Sequence, residues 1–307
     1  MTRAKGGIAL LVAGLLSGCF FGPTNQDVRE SVAAMPGVSF ARIPTQETGV
    51  LSSVDMPQLN VTMSTATPQQ IRAVVDLLKN DPHEDLETVH ITVSDSPMIN
   101  ASRRIADIDT DQFVDDAERL RRLGPALDPP ARIRWTRDDV PDGALVLYTS
   151  EESPEPPIAP TLATIRGALG DVGLVEIIPG KPNLVQDWKI HPPFSADQLQ
   201  RVNSRLESLP VDISAVTVAS GVITDLAVSL RPGQSPETQL GEVVAALGAG
   251  PDSPVMLSWG SRNLPRPEGT VHVGGCGYPD PPRVDSLPNE HKTLQQRLRE
   301  QFDTCPR

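Results

Sequence analysis

Aromatic side chains are scarce in this sequence, at 4% of 307 residues. Carbohydrate sites usually stack sugars on aromatic rings, and few are on offer here. Basic residues are outnumbered by acidic ones, 27 to 39, for a formal charge of −12. That balance argues against nucleic acid, whose phosphates call for basic patches. There are only three cysteines, with no C-x-x-C. His83, His90, His191, His272 and His291 stand apart, with no H-x-H or H-x-x-x-H among them, so no zinc motif forms. G-x-S-x-G, S-x-x-K and the P-loop are all missing, and with them the best-marked routes to acyl transfer and nucleotide hydrolysis. The longest apolar run, Ile8 to Leu16, is too short to span a bilayer comfortably.

That run nevertheless has a clear context. Arg3 and Lys5 precede it, and Leu16-Ser17-Gly18-Cys19 follows. The order of short positive segment, apolar segment, small residues and cysteine resembles the lipobox signal peptide of bacterial lipoproteins. The resemblance covers the first 19 residues. It implies cleavage after residue 18 and diacylglycerol, with its palmitate-type chains, on the Cys19 thiol. Two acyl chains meet the condition for stable anchoring. Loss of Arg3 and Lys5 leaves a body of −14. Arg outnumbers Lys 22 to 5, and Ala, Gly, Pro and Asp are abundant. This composition resembles the product of a high-GC genome, an actinobacterial one. The expected location is the extracytoplasmic face of the cell membrane.

With Cys19 lipidated, Cys276 and Cys305 remain, and an even pair in an oxidising compartment reads as a disulfide. Closing that loop contributes about 3 kcal/mol by the chain-entropy estimate.

The body reads as α+β. Residues 19–26 form a tether. A helix is expected at Asp27–Met35, and a strand at Val38–Ile43. Thr67-Pro68-Gln69-Gln70 is a capping box with Pro at the first helical position, leading into Ile71, Val74, Val75 and Leu78 on one face. A strand follows at Thr88–Ser94, then a strand at Arg104–Asp109, a helix at Asp111–Leu123, and strands at Ala131–Arg137 and Ala144–Thr149. Ser153–Pro160 holds four prolines in eight residues and reads as a stiff linker. Beyond it the order restarts with a helix at Thr161–Leu169. Later helices begin at Ser195-Ala196-Asp197-Gln198 and Ser235-Pro236, and the last spans Asn289–Phe302.

Residue matches support an internal duplication. Leu123, Gly124, Asp128, Pro130 and Trp135 recur as Leu247, Gly248, Asp252, Pro254 and Trp259, all at an offset of 124. The turn Pro141-Asp142-Gly143 recurs as Pro267-Glu268-Gly269 at an offset of 126. The expected architecture is two tandem ferredoxin-like (split β-α-β) modules, residues 27–152 and 161–273, with the linker 153–160 between them. A disulfide-tied tail, 274–307, follows. Trp135 and Trp259 are expected to anchor the two cores.

One acidic cluster has metal-ligand spacing. Asp107, Asp109, Asp111, Asp115 and Glu118 fall on positions 1, 3, 5, 9 and 12 of a segment that resembles a calcium-binding EF-hand loop. Position 6, normally Gly, is Gln112, and the segment opens on a strand pattern. The competing expectation is a helix start in which Asp111 caps and Asp115, Asp116 and Glu118 favour the helix dipole.

The functional expectation is a membrane-anchored, non-enzymatic binding or interaction module whose partner is an envelope protein or small ligand. It uses no cofactor beyond the covalent lipid. The alternatives are an envelope hydrolase using paired carboxylates and a weak calcium module at 107–118. Replacing Cys19 with Ala is expected to move the protein out of the detergent phase in phase partitioning; retention there refutes the lipid anchor.

Overall fold

The computed structural model describes residues 25–44, 58–80, 86–152, 156–180, 186–193, 195–260, 267–278 and 289–305. The signal peptide, Cys19, nearly all of the tether and the start of the linker lie outside them. Among the described residues, no helix is long and apolar enough to cross a membrane.

Helix α1 (Asn25–Ala33) precedes strands β1 (Phe40–Arg42) and β2 (Gln58–Thr62). The same helix-strand-strand order then recurs along the chain. Helix α2 (Pro68–Asn80) leads to β3 (Thr88–Asp95) and β4 (Met98–Arg104), and α3 (Thr110–Ala126) to β5 (Arg132–Thr136) and β6 (Ala144–Tyr148). Helix α4 (Ile158–Leu169) leads to β7 (Leu174–Ile178) and β8 (Asp187–His191), and α5 (Ala196–Glu207) to β9 (Asp212–Ala219) and β10 (Val222–Ser229). Helix α6 (Pro236–Leu247) leads to β11 (Val255–Gly260) and β12 (Gly269–Val273), and α7 (Asn289–Phe302) closes the described chain.

All strands join one 12-stranded mixed sheet, in sequence order from β1 to β12. Strands on either side of a helix pair in parallel, as in β2–β3, β4–β5 and β6–β7. Strands joined directly pair antiparallel, as in β3–β4, β5–β6 and β11–β12. This corrects the expected pair of ferredoxin-like modules. A split β-α-β leaves room for another strand between its parallel strands, whereas here each crossover joins immediate neighbours. The two blocks are also continuous, because β6 pairs with β7 from Ala144–Leu174 to Tyr148–Ile178. The linker reading is corrected in part, since α4 starts at Ile158 and includes Pro160 within its first turn, where a missing N–H costs nothing.

The alternation of each strand decides the layering. Val61, Ile91, Ala101, Trp135, Leu145, Val175, Ile190 and Val218 occupy one register row, and all are buried. They face the helices, with α3 packed between α2 and α4. Among the described residues, no helix lies on the opposite face. Strand direction reverses at every hairpin while the helices stay on one side, so successive crossovers alternate in hand, against the usual right-handed preference.

Local signals hold up well. Thr67 and Gln70 make the capping box, with Thr67 N–H donating to Gln70 Oε1 (2.8 Å) and Gln70 N–H to Thr67 Oγ1 (3.3 Å). Ser195 and Gln198 form the second box. The strand expected at Arg104–Asp109 instead ends at Arg104 and gives way to a 3-10 turn at Ile105–Asp107. Arg121 on α3 donates to the carbonyls of Val93, Ala66 and Met63, at 2.7, 2.7 and 2.9 Å. It thereby ties α3 to the ends of β2 and β3.

The repeated tryptophans and glycines prove to be packing partners. Trp135 and Trp259 are each 1% exposed. Gly143 lies against the Trp135 ring and Gly269 against the Trp259 ring, so that a Cβ at either glycine would overlap ring atoms. The repeated turn therefore keeps a glycine because the indole needs the space.

The far end of the sheet is sealed. Gln295 on α7 accepts from Thr270 N–H (2.8 Å), Arg299 donates to Thr270 O (3.3 Å), and Tyr278 Oη accepts from His272 N–H (3.2 Å). These side chains take up the outward backbone groups of β12. The Cys276–Cys305 disulfide ties the end of this segment back to the strand, as the cysteine count led one to expect.

Gly269→Ala isolates the ring contact, since it introduces no left-handed backbone. It should cost about 1–3 kcal/mol in urea unfolding through overpacking. A neutral result would remove the packing reason for the repeated glycine.

Candidate functional site

Three features have the makings of a site: the helix-free sheet face, a buried charge cluster beneath β4 and β5, and an apolar cleft between α4 and α5.

The helix-free face is polar and fine-grained. One register row across it reads Thr62, Thr92, Asn100, Arg134, Val146, Glu176, Lys189, Thr217, Asp225, Met256 and His272. At about 4.8 Å per strand the sheet is roughly 53 Å wide along its twist. Its charges are not evenly spread. Arg42, Arg104, Arg132 and Arg134 lie on β1, β4 and β5, while Glu176, Asp187 and Asp225 lie on β7, β8 and β10 beside a single Lys189. Arg104 is engaged by Asp139 (2.7 Å), and Arg132 stacks 4.5 Å from the Tyr148 ring. Burial pulls the His90 imidazole below its ordinary value, and nearby Arg134 pulls it further, with Asp138 opposing.

The carboxylates expected of a hydrolase find their nearest counterpart in Glu176 and Asp187. Burial pushes the Asp187 carboxyl up, and the neighbouring Glu176 adds to the effect. Glu176 is held by Lys189 at 3.5 Å. The group sits on the sheet surface.

The buried cluster centres on Asp116 of α3. Its Oδ2 lies 2.5 Å from Arg103 Nη2 and 3.0 Å from Arg137 Nε, its Oδ1 accepts from Arg137 Nη2 at 3.1 Å, and Trp135 Nε1 donates to Oδ2 at 2.9 Å. Asp116 and Arg103 are almost wholly buried. The Arg103 guanidinium also lies over the Phe113 ring (5.8 Å), and Arg137 over Trp135 (5.1 Å). Burial pulls the Arg103 guanidinium below its usual value, and the adjoining Asp116 charge pushes back. Sequence reasoning took Asp116 for a helix-dipole residue and overlooked both arginines. The signal was present: Ile99, Ala101 and Arg103 alternate on one face of β4, and an arginine in that row must find a counter-charge.

The duplicated block shows what replaces such a cluster. Val228 pairs with Trp259 as Ala101 pairs with Trp135, which puts Leu230 where Arg103 stands. The offset of 124 puts Leu240 where Asp116 stands. Among the described residues, Trp259 Nε1 is accordingly buried without a hydrogen-bond partner. One block holds its tryptophan by charge, and the other has leucine at the corresponding positions, so the cluster serves the framework of its block.

The acids of the calcium reading do not converge. Asp107 ends the 3-10 turn, 3.9 Å from Arg104. Asp109 is the N-cap of α3 and accepts from Gln112 N–H (2.9 Å). Asp111 pairs with Arg72 (2.5 Å), Asp115 pairs with Arg119 one turn on (2.8 Å), and Glu118 is exposed on α3. Helix begins at Thr110, inside what would be the loop, so the carboxylates radiate around a helix and cannot wrap one ion. Among the described residues no three His, Cys, Asp or Glu side chains come together as a metal site. The cap falls to Asp109, two residues earlier than the expected Asp111.

Between α4 and α5 lies a cleft of about 220 Å³. Leu162, Ile165, Val175 and Leu199 line its apolar interior, with Arg166 and Asp171 also on the wall. The expected lipidation residue, Cys19, lies outside the described residues.

Removing Asp116 leaves Arg103 buried without a counterion. Asp116→Leu should cost about 3–5 kcal/mol in urea unfolding. Arg103→Leu combined with Asp116→Leu, the pair found in the other block, should cost clearly less than the single change, giving a coupling above about 1 kcal/mol. An additive double variant would show that the two side chains do not depend on each other.

No protein-family model, no curated protein and no solved structure matches this chain. The reading of function rests on the geometry above.

Proposed function

We propose that this protein is a cell-envelope lipoprotein, held to the extracytoplasmic face of the membrane by diacylglycerol on Cys19, that acts as a non-enzymatic interaction module. The observation that carries this reading is the helix-free face of the sheet. Its outward row, mostly Thr, Asn and single charges with Val146 and Met256 among them, presents a mixed surface without a large apolar patch among the described residues. The hydrogen-bonded sheet holds those side chains at fixed spacing, which lowers the ordering cost of forming an interface. An acidic body remains soluble and stays off anionic lipid except through its anchor.

The test places a photo-crosslinking amino acid on either side of the sheet in native membranes. Thr92 and Thr217 report the helix-free face, and the exposed Glu118 and Arg122 of α3 report the helical one. Discrete adducts are expected from Thr92 and Thr217 alone. Adducts from the α3 positions alone, or from none of the four, reject the sheet face as the working surface.

A further inference from the structure

The helix layer is not continuous. Helices α1 to α4 pack each against the next, whereas α4 and α5 stand apart, with the cleft of about 220 Å³ between them. The walls account for the gap. Ala159 and Ala163 of α4 and Ala196 of α5 line it, and side chains this small cannot bridge two helices. Ile165, Val172, Val175 and Leu199 form its depth, and all four are buried. Arg166, Asp171 and Ser195 also line it and are exposed, so they stand at the mouth.

Size and polarity together select an occupant. An apolar cavity of about 150 Å³ holds one benzene ring, so this larger space suits about eight or nine carbon atoms. Water finds few hydrogen-bond partners in such a depth, and an apolar occupant releases it. The mouth is polar but balanced. Arg166 Nη2 lies 3.5 Å from Asp171 Oδ1, and the two charges cancel. A ligand carboxylate there would meet Asp171, and a ligand ammonium would meet Arg166. A hydroxyl suits both, because it donates to a carboxylate and accepts from a guanidinium. Ser195, whose Oγ accepts from Gln198 N–H at 3.2 Å, adds a further hydroxyl to the mouth.

We propose that the cleft between α4 and α5 binds an uncharged aliphatic ligand of about eight or nine carbons that carries a terminal hydroxyl. The chain lies against Ile165, Val175 and Leu199, and the hydroxyl lies between Arg166 and Asp171. Strand β7 forms the floor and the two helices form the sides, so the site is held open by the sheet beneath it. This goes beyond the sheet-face reading and does not rest on it, since α4 and α5 lie on the other side of the sheet.

The test uses an eight-carbon alcohol with a photoreactive diazirine on its chain. It is photolysed with the full chain in native membranes, and adducts are located by mass spectrometry. Adducts are expected on residues 159–175 and 192–199, and excess 1-octanol should remove them. The carboxylate and the amine of the same chain length should label these residues about tenfold less, since each leaves a charge opposed at the mouth. Ala163→Phe and Ala196→Phe fill the cleft from either helix, and each should abolish labelling, with unaltered thermal melting as the check of folding. Adducts found elsewhere, or labelling that survives both substitutions, overturn the site. A carboxylate or amine that labels as strongly as the alcohol overturns the uncharged ligand. Crosslinks from Thr92 and Thr217 report the opposite face, so the two readings stand or fall separately.

Discussion

Everything in this structure depends on keeping all the helices on one side of a sheet whose strands follow chain order. The constraint is met by alternation. Each strand sends one residue in two inward, and the inward row from Val61 to Val218 is buried from one strand to the next. The core is therefore a long slab, and each helix covers the two or three strands nearest to it. The other surface carries no described helix, and its Thr, Asn and isolated charges sit at the fixed spacing of the strands. The face proposed to work is thus a by-product of the way the core is built.

The two tryptophan sites show how one fold tolerates different chemistry at equivalent positions. Trp135 rests on a carboxylate neutralised by two arginines, and the block of Trp259 has Leu230 and Leu240, both apolar, at the corresponding positions. Replacing a buried ion pair with apolar residues often leaves stability unchanged or improved, whereas breaking it halfway is costly. The leucine version gives up the indole hydrogen bond. The arginine version needs three residues from different elements to stay matched. Both versions retain the glycine beneath the ring, because no alternative chemistry creates that room.

The sequence made much of this legible. Caps at Thr67 and Ser195, the last helix from Asn289 to Phe302, the cysteine pair and the buried tryptophans could all be read, since each depends on residues close in sequence or on simple counting. Strand order could not. A helix between two strands says that they run parallel, but not whether a third strand separates them, and here none does. The duplication, visible from Leu123 to Trp135, drew the boundary at the proline-rich segment. Register shows no break there, because β6 pairs with β7 as closely as any other neighbours. The acids from Asp107 to Glu118 misled for a related reason. Spacing in sequence suits a loop or a helix start equally, and the position of α3 decides which. Arg103 was the missed clue, a charge in an apolar row whose partner lies thirteen residues away on a helix.

A sheet in which each strand pairs only with its chain neighbours has no natural size. Another helix-strand-strand unit could be added at its end without disturbing those already there, much as a monomer joins a growing polymer. Helix α7 acts as the terminator of that growth. Its Gln295 and Arg299, with Tyr278 from the segment after β12, meet the outward backbone groups of β12 with side chains, which offer no further strand to pair with. The disulfide secures the terminator covalently, so this edge of the sheet is held closed by a cross-link as well as by hydrogen bonds.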